Sequence, residues 1–282
     1  MLLISQSRLY NEDCMRGINN LSESYGKFVD CAITSPPYAQ QRKNQYGGVK
    51  EEDYPQWTLE WMSAVEKVLK EDGSVFINIR PHIKNGQISD YVLKTRLLLR
   101  ENGWIENEEL IWIKPDSPPL GSIHRPRRAW EHILWFSKTS KPFCRPKNNG
   151  NVSSRVGFEG DKFEHGGDSH IHAGQKPAKV GISRHRDYIE CGTGMVEKGY
   201  SNSAMFPPQV PEYLINLSCS EDGIVLDPFM GSGTTMRQAV RMNRGFVGFD
   251  TSDKDYDEAH NSLMEIINKQ GLQDIYKDMS FI

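Results

Sequence analysis

Cysteine is sparse in this chain and nowhere paired: Cys14, Cys31, Cys144, Cys191 and Cys219 are odd in number, scattered and never spaced CxxC. That argues against a disulfide framework and against a zinc ribbon. Long apolar runs are missing too, and none approaches the roughly 20 residues that a membrane-spanning helix needs. The opening residues MLLISQSRLYNEDC lack a basic stretch ahead of their short apolar patch, so no secretory signal is read there and a cytoplasmic protein is expected. Internal repeats and low-complexity tracts are absent. What remains is an ordinary globular composition, 37% hydrophobic and 25% charged over 282 residues. Such a chain can bury one large core, or a core carrying a substantial insertion.

An excess of positive charge is also lacking, since the formal net charge is −3. The balance changes when the chain is divided. From Lys114 to Arg186 there are 14 Lys+Arg against 6 Asp+Glu, while the rest of the chain carries 20 against 31. Six of the eight histidines lie in the same middle segment. A basic block inside an acidic protein marks a candidate face for a polyanion.

Leu9–Cys14 (LYNEDC) reads as a turn or strand end carrying acids, and Phe28–Ile33 as the first strand. Ala39–Pro55 is polar and reads as a loop. Trp57, Trp61, Val65, Val68 and Leu69 recur at helical spacing, with Asp72-Gly73 as the expected stop. Ser74–Ile79 predicts a strand, Ile88–Arg100 a helix closed by Asn102-Gly103, and Glu109–Lys114 and Ile133–Ser137 two further strands. From Pro115 to about Phe206 the rhythm fails in a segment rich in Gly, Pro, Ser, Asn, His and basic residues, too long to be a mere connection. Regularity returns with a helix over Pro211–Cys219, a strand at Ile224–Leu226, a helix to Met242, a strand at Phe246–Phe249 and a helix from about Asp255. Strands alternating with helices predict an α/β fold, a mainly parallel twisted sheet with helices on both faces.

Two loops stand at strand ends. TSPPY (Thr34–Tyr38) follows the first strand. Each proline fixes its own φ and removes a backbone donor, so the loop is stiff and its carbonyls are free to face a ligand. Ser35 adds a hydroxyl, and Tyr38 a flat ring with a polar tip. VLDPFMGSGTT (Val225–Thr235) lies between a strand and a helix, where Gly231 and Gly233 permit close backbone approach and the helix start offers unpaired N–H groups. No lysine follows the glycines, so this is not a nucleotide P-loop, and Met236 breaks a GxGxxG. Asp227 suits a ligand with a positively charged end. About twenty residues on, Asp250 closes the next strand, where an open α/β sheet places a carboxylate for ribose hydroxyls.

TSPPY followed by a long basic segment and then DPFMGSGTT resembles the amino-methylating DNA methyltransferases of β-type motif order, a family with a circularly permuted Rossmann-like methyltransferase fold. NEDC (Asn11–Cys14), IWIKPDSPP, RPRRAWEHILWFSK (Arg125–Lys138) and MFPPQVPEYLI (Met205–Ile215) are similar to further family segments. The resemblance implies a catalytic half over 1–115, a target-recognition region over 116–205 with a sheet-edge strand near 133–137, and a cofactor-binding half over 206–282. It implies S-adenosylmethionine as cofactor, held by Asp13, Thr34, Asp227, Pro228, Phe229, Gly231, Ser232, Gly233, Thr234 and Asp250. Ser35, Pro36, Pro37 and Tyr38 are the implied catalytic residues. The exocyclic amine of a base is a poor nucleophile, so two acceptors on its hydrogens, with Tyr38 stacked on the flipped base, would aim its lone pair at the methyl. Cytosine N4 is the first expectation because SPPY is more typical of that group, and adenine N6 is the alternative. Double-stranded DNA is the implied substrate; a separate restriction nuclease and a second copy of the chain are partners the family allows. Arg125, Arg127, Arg128, Lys176, Lys179, Arg184 and Arg186 are the candidate DNA-contacting residues, and Arg128 with Glu131 reads equally as a structural pair at the sheet edge. His165, His170 and His172 lack ligand spacing, so no metal is expected. An RNA or protein-amide methyltransferase, or a non-catalytic binding module, are the rival readings.

Overall fold

A computed structural model describes residues 7–39, 48–118, 122–150, 152–156, 179–193, 206–269 and 271. Strand β1 (Arg8–Tyr10) turns through Asn11–Asp13 into helix α1 (Cys14–Tyr25). The acids of NEDC start that helix: Asp13 is its N-cap, and its carboxylate accepts from the Arg16 amide at 3.1 Å. Helix α1 itself was not expected, because CMRGINNLSESY is so polar that only Cys14, Gly17 and Ile18 are buried.

Strand β2 (Val29–Thr34) is buried throughout, as a strand covered on both faces must be. Helix α2 (Tyr54–Val68) has Pro55 in its first turn and runs directly into β3 (Leu69–Ile79). Asp72-Gly73 therefore does not end the helix. Leu69 already pairs with Val29, and the pair lies inside the strand where the register shifts opposite Val29–Cys31. A small hairpin follows, β4 (Ile83–Lys84) and β5 (Gln87–Ile88), turning on Asn85 and Gly86, both at positive φ. Helix α3 (Tyr91–Glu101) stops near Gly103, at φ +81. Strands β6 (Ile105–Ile113) and β7 (Trp130–Ser137) then form an antiparallel pair.

Part of the irregular middle is ordered into strands. β8 (Val152–Val156) and β9 (Lys179–Ile182) pair as a two-stranded sheet, and β10 (Tyr188–Glu190) returns to the main sheet beside β6. The chain closes with α4 (Gln209–Ser218), β11 (Ile224–Asp227), α5 (Thr234–Arg241), β12 (Gly245–Phe249) and α6 (Asp253–Lys269).

The main sheet has the order β1-β12-β11-β2-β3-β7-β6-β10 and is parallel except for β7. The strand expected at the sheet edge over 133–137 is thus an interior one, because the β6–β7 hairpin folds it back against β3; the edges are β1 and β10. Alternate residues of the strands feed two cores. Cys31, Ile33, Phe76 and Val225 pack with α4, α5 and α6, whereas Ala32, Val75, Ile77 and Leu226 pack with α1, α2 and α3. Helices therefore cover both faces, as the alternation of elements predicted.

Strands β2, β3, β6, β11 and β12 point the same way and β7 points back. The loops after β2 and β11, the ends of β3, β6 and β12 and the start of β7 all meet at one edge. In an open α/β sheet that carboxyl edge is where ligands bind.

Candidate active site

A cleft of about 570 Å³ opens at this edge. It is lined by Asp13, by Ser35 to Tyr38, by Asp227 to Ser232, by Thr234 and by Asp250, so a loop ending at Tyr38 and one beginning at Asp227 share one cavity. Among the expected catalytic and cofactor residues, Thr34 and Gly233 alone stand outside the lining. Thr34 is the fully buried last residue of β2, and Gly233 is the N-cap of α5.

The glycine loop is shaped by its own backbone and two carboxylates. Gly231 has φ +51 and Gly233 φ +85, conformations that side chains resist. A Cβ on Gly233 would also lie 2.9 Å from Met236 Cε and 3.1 Å from Ala259 Cβ. Asp227 accepts from the Phe229 amide at 3.1 Å and the Thr235 hydroxyl at 2.8 Å. Asp250 accepts from the Gly231 amide at 3.0 Å and the Ser252 amide at 2.8 Å, tying the loop to the end of β12. Behind the loop, the buried Arg237 donates to the Ser232 carbonyl at 2.6 Å and the Thr234 hydroxyl at 3.1 Å. Burial pushes the Asp227 carboxyl up to about 7 against the pull of the Thr34 and Thr235 hydroxyls. Burial likewise raises Asp250 to about 6. A cationic ligand beside Asp227 would restore its ionised form. Phe229 stands with Trp57 and Trp61, ring centroids 5.3 and 5.5 Å apart, giving the cleft an aromatic wall.

The TSPPY loop is held from behind by side chains of β3 and β7. The Tyr38 hydroxyl donates to Glu131 Oε2 at 2.7 Å, and Asn78 Nδ2 donates to the same oxygen at 2.9 Å and to the Tyr38 oxygen at 3.1 Å. Lys114 closes on the other carboxylate oxygen. Burial alone would raise the Glu131 carboxyl, but the Lys114 charge and the donors from Lys114, Tyr38 and Asn78 outweigh it and hold it below the ordinary range. The Tyr38 phenol is raised by burial and by that carboxylate, so it stays a neutral donor. Glu131 is thus paired with Lys114, and Arg128 contributes its carbonyl to Arg80 at 3.3 Å. Asn78, Lys114, Glu131, Trp57, Trp112 and Phe206 are cleft residues that sequence reasoning missed. The available signal was a glutamate and a lysine at the ends of otherwise apolar strands (WEHILWFS and ELIWIK).

The basic candidates fall on two segments of the chain, Arg125 to Arg128 between β6 and β7, and Lys176 to Arg186 ahead of β10. Arg127 donates to the Ser117 carbonyl at 3.0 Å and the Pro115 carbonyl at 3.4 Å, and Arg125 donates to the Gly86 carbonyl. Arg128 is part-buried, and burial with the neighbouring Arg80 lowers its pKa. Arg184 and Arg186 are exposed near β10, where Arg186 donates to the Tyr188 hydroxyl. Lys179 begins β9, and Lys176 lies outside the described residues, as do His165, His170 and His172. Among the described residues no group of three or more His, Cys, Asp or Glu could hold a metal ion, and no helix is long and apolar enough to cross a membrane.

Residues 29–261 match the model of a family described as DNA methylase. The type II methyltransferase M.BglII of Bacillus subtilis is 29% identical over 271 residues, covering 91% of this chain and 69% of its own. A solved PvuII DNA methyltransferase, cytosine-N4-specific, superposes with a TM-score of 0.69 at 22% identity, covering 98% of this chain and 94% of that one. The M1.HpyAVI–SAM complex gives a TM-score of 0.61 at 19% identity, covering 91% and 98%. At such identities the two structures speak to the fold.

Proposed function

The chain belongs to the DNA methylase family, and from that premise we propose that it transfers a methyl group from S-adenosylmethionine to the exocyclic amino group of a base turned out of duplex DNA. The observation that carries this reading is the meeting of TSPPY and the glycine loop in one cleft. The residues fit the cofactor: a loop whose glycines allow close approach, a carboxylate that burial leaves short of a cation, and an aromatic wall. Asp227 and Asp13 would meet its charged end, Gly231 to Thr234 and Phe229 its body, and Asp250 its ribose. When bound, S-adenosylmethionine supplies an electrophilic methyl on a sulfonium.

The chain's own residues then do the positioning. The Ser35 hydroxyl and the Pro36 carbonyl accept the two amino hydrogens, localising a lone pair that the ring otherwise delocalises. The prolines keep that carbonyl from turning away. Tyr38 cannot swing, because its hydroxyl is anchored on Glu131, so its ring offers a fixed face for the base to stack on. Holding the reactants in line is a large part of such catalysis, and acceptors aimed at the nitrogen as it becomes positive supply the rest. Ser35 at the first position of SPPY supports cytosine N4 as the target, with adenine N6 the second reading. The test is to incubate the protein with labelled S-adenosylmethionine and native DNA, digest, and identify the nucleoside. Label in N4-methylcytosine is expected. Label in N6-methyladenine would reassign the base, and label confined to RNA or protein would sink the proposal.

A further inference from the structure

Ile123 is the most exposed large apolar side chain among the described residues, at 94%. A lone exposed isoleucine is ordinary, but this one is mounted. It occupies the first central position of a tight turn in which the Arg125 amide donates to the Ser122 carbonyl at 3.2 Å and the His124 amide to the Ser122 hydroxyl at 3.2 Å. The connection between β6 and β7 that carries the turn is closed at its base, where the Lys114 amide donates to the Ala129 carbonyl at 2.7 Å and Arg127 spans to Ser117 and Pro115. Arg125 reaches sideways to the β4–β5 hairpin at Gly86. Lys114 and Glu131, the residues at the two ends of this connection, line the cleft. No acidic residue occurs between Asp116 and Glu131, whereas Arg125, Arg127 and Arg128 flank the isoleucine on one side.

We propose that Ile123 enters the base stack of duplex DNA and fills the space left when the target nucleotide turns into the cleft; the inference rests on the reading of the chain as a DNA methyltransferase. Extruding a base unstacks its neighbours at a cost of a few kcal/mol per step, and an apolar side chain placed in the gap restores part of that loss. A β-branched side chain has few rotamers to give up on insertion. The adjacent arginines supply the charge that holds the flanking phosphates beside the turn. The stack of the duplex, and not a protein, is the occupant that this charge favours. Because Ile123 is almost fully exposed among the described residues, its truncation is expected to leave the fold intact.

The experiment measures single-turnover methyl transfer to native duplex DNA at saturating protein, alongside DNA affinity, cofactor affinity and melting temperature, for the wild type, Ile123→Ala and Ile123→Met. The alanine variant is expected to lose at least about tenfold in saturated rate, as a lost wedge should, while both affinities and the melting temperature stay within about twofold or a degree or two of wild type. Methionine, long and apolar, is expected to restore most of the rate. Wild-type rate in the alanine variant overturns the proposal. So does a fall in DNA affinity that accounts for the whole loss of rate, which would mark a simple contact, and so does failure of methionine to rescue. A wild-type protein that labels no DNA defeats the methyltransferase reading along with the wedge, whereas an active wild type beside an equally active alanine variant defeats the wedge alone.

Discussion

The two loops that face each other across the cleft are stiffened in opposite ways. The glycine loop after β11 is self-contained: its amides bond to Asp227 and Asp250, its turns depend on glycines at positive φ, and Arg237 braces it from the helix it opens. The TSPPY loop after β2 has its own φ angles set by proline but borrows its anchorage. Tyr38 is held by Asn78, 40 residues away, and by Glu131, 93 residues away. One loop presents backbone to its ligand and the other presents side chain, carbonyl and ring. Damage to the first should therefore be read in cofactor affinity, and damage to the second in the rate of transfer.

The hardest test of that division is Glu131→Ala. It strands the buried Lys114 charge and leaves Tyr38 without its acceptor, so a destabilisation of about 3–5 kcal/mol is expected by chemical denaturation. The matched Glu131→Gln, which keeps an acceptor, should cost less and show a lowered transfer rate with cofactor affinity unchanged. Loss of cofactor affinity in Glu131→Gln would merge the two loops into one unit. Next in size is Ser35→Ala, which removes one of the two acceptors for the amine. It should lower the rate by about 10²–10³, the scale of losing one preorganised hydrogen bond at a reacting centre, with cofactor binding by calorimetry nearly intact. Gly233→Ala works the other side. A side chain at φ +85 that also meets Met236 and Ala259 should cost about 1–3 kcal/mol of stability and weaken cofactor binding first.

The smallest effect is pH dependence. Asp227 holds its proton more tightly folded than unfolded. Its contribution to the stability of the ligand-free protein is therefore full below the ordinary carboxylate range and is lost as pH rises through about 7. Binding of a cationic ligand runs the other way. Affinity should climb by up to about tenfold per unit toward pH 7 and level off above it, with protons released on binding below that value. Asp250, raised to about 6, adds a second and lower step. Calorimetry in buffers of different ionisation enthalpy measures the proton release. An affinity unchanged across this range would remove Asp227 from the cationic end of the site, and Asp227→Asn should abolish the upper step.

How much was legible in the chain follows the same division. The strand–glycine loop–helix–strand–aspartate unit could be read because the hydrogen bonds that Asp227, Asp250 and Arg237 make to its loop all fall within a short stretch, from Asp227 to Ser252. The stiffness of TSPPY was legible for the same reason, since proline acts on its own residue and the one before it. Helix α1 was not, because its polar sequence carries too little periodicity, and the end of α2 was misplaced because a strand pairing with Val29 overrode the Asp-Gly stop signal. The place of β7 in the sheet interior depended on a hairpin folding back, which no local pattern encodes.

By itself, then, the order of residues determined the alternation of strands and helices, the two loops, and the basic block between them, since these rest on local backbone preference and side-chain periodicity. Only the tertiary structure decided that Glu131 is Lys114's partner and Tyr38's anchor, that Asn78 stands beside them, and that Ile123 is held out on a tight turn between two strands whose facing ends line the cleft. Those facts depend on which strands become neighbours. Strand neighbours are chosen by the burial of two whole sheet faces together, a property of the complete chain that no single stretch of it carries.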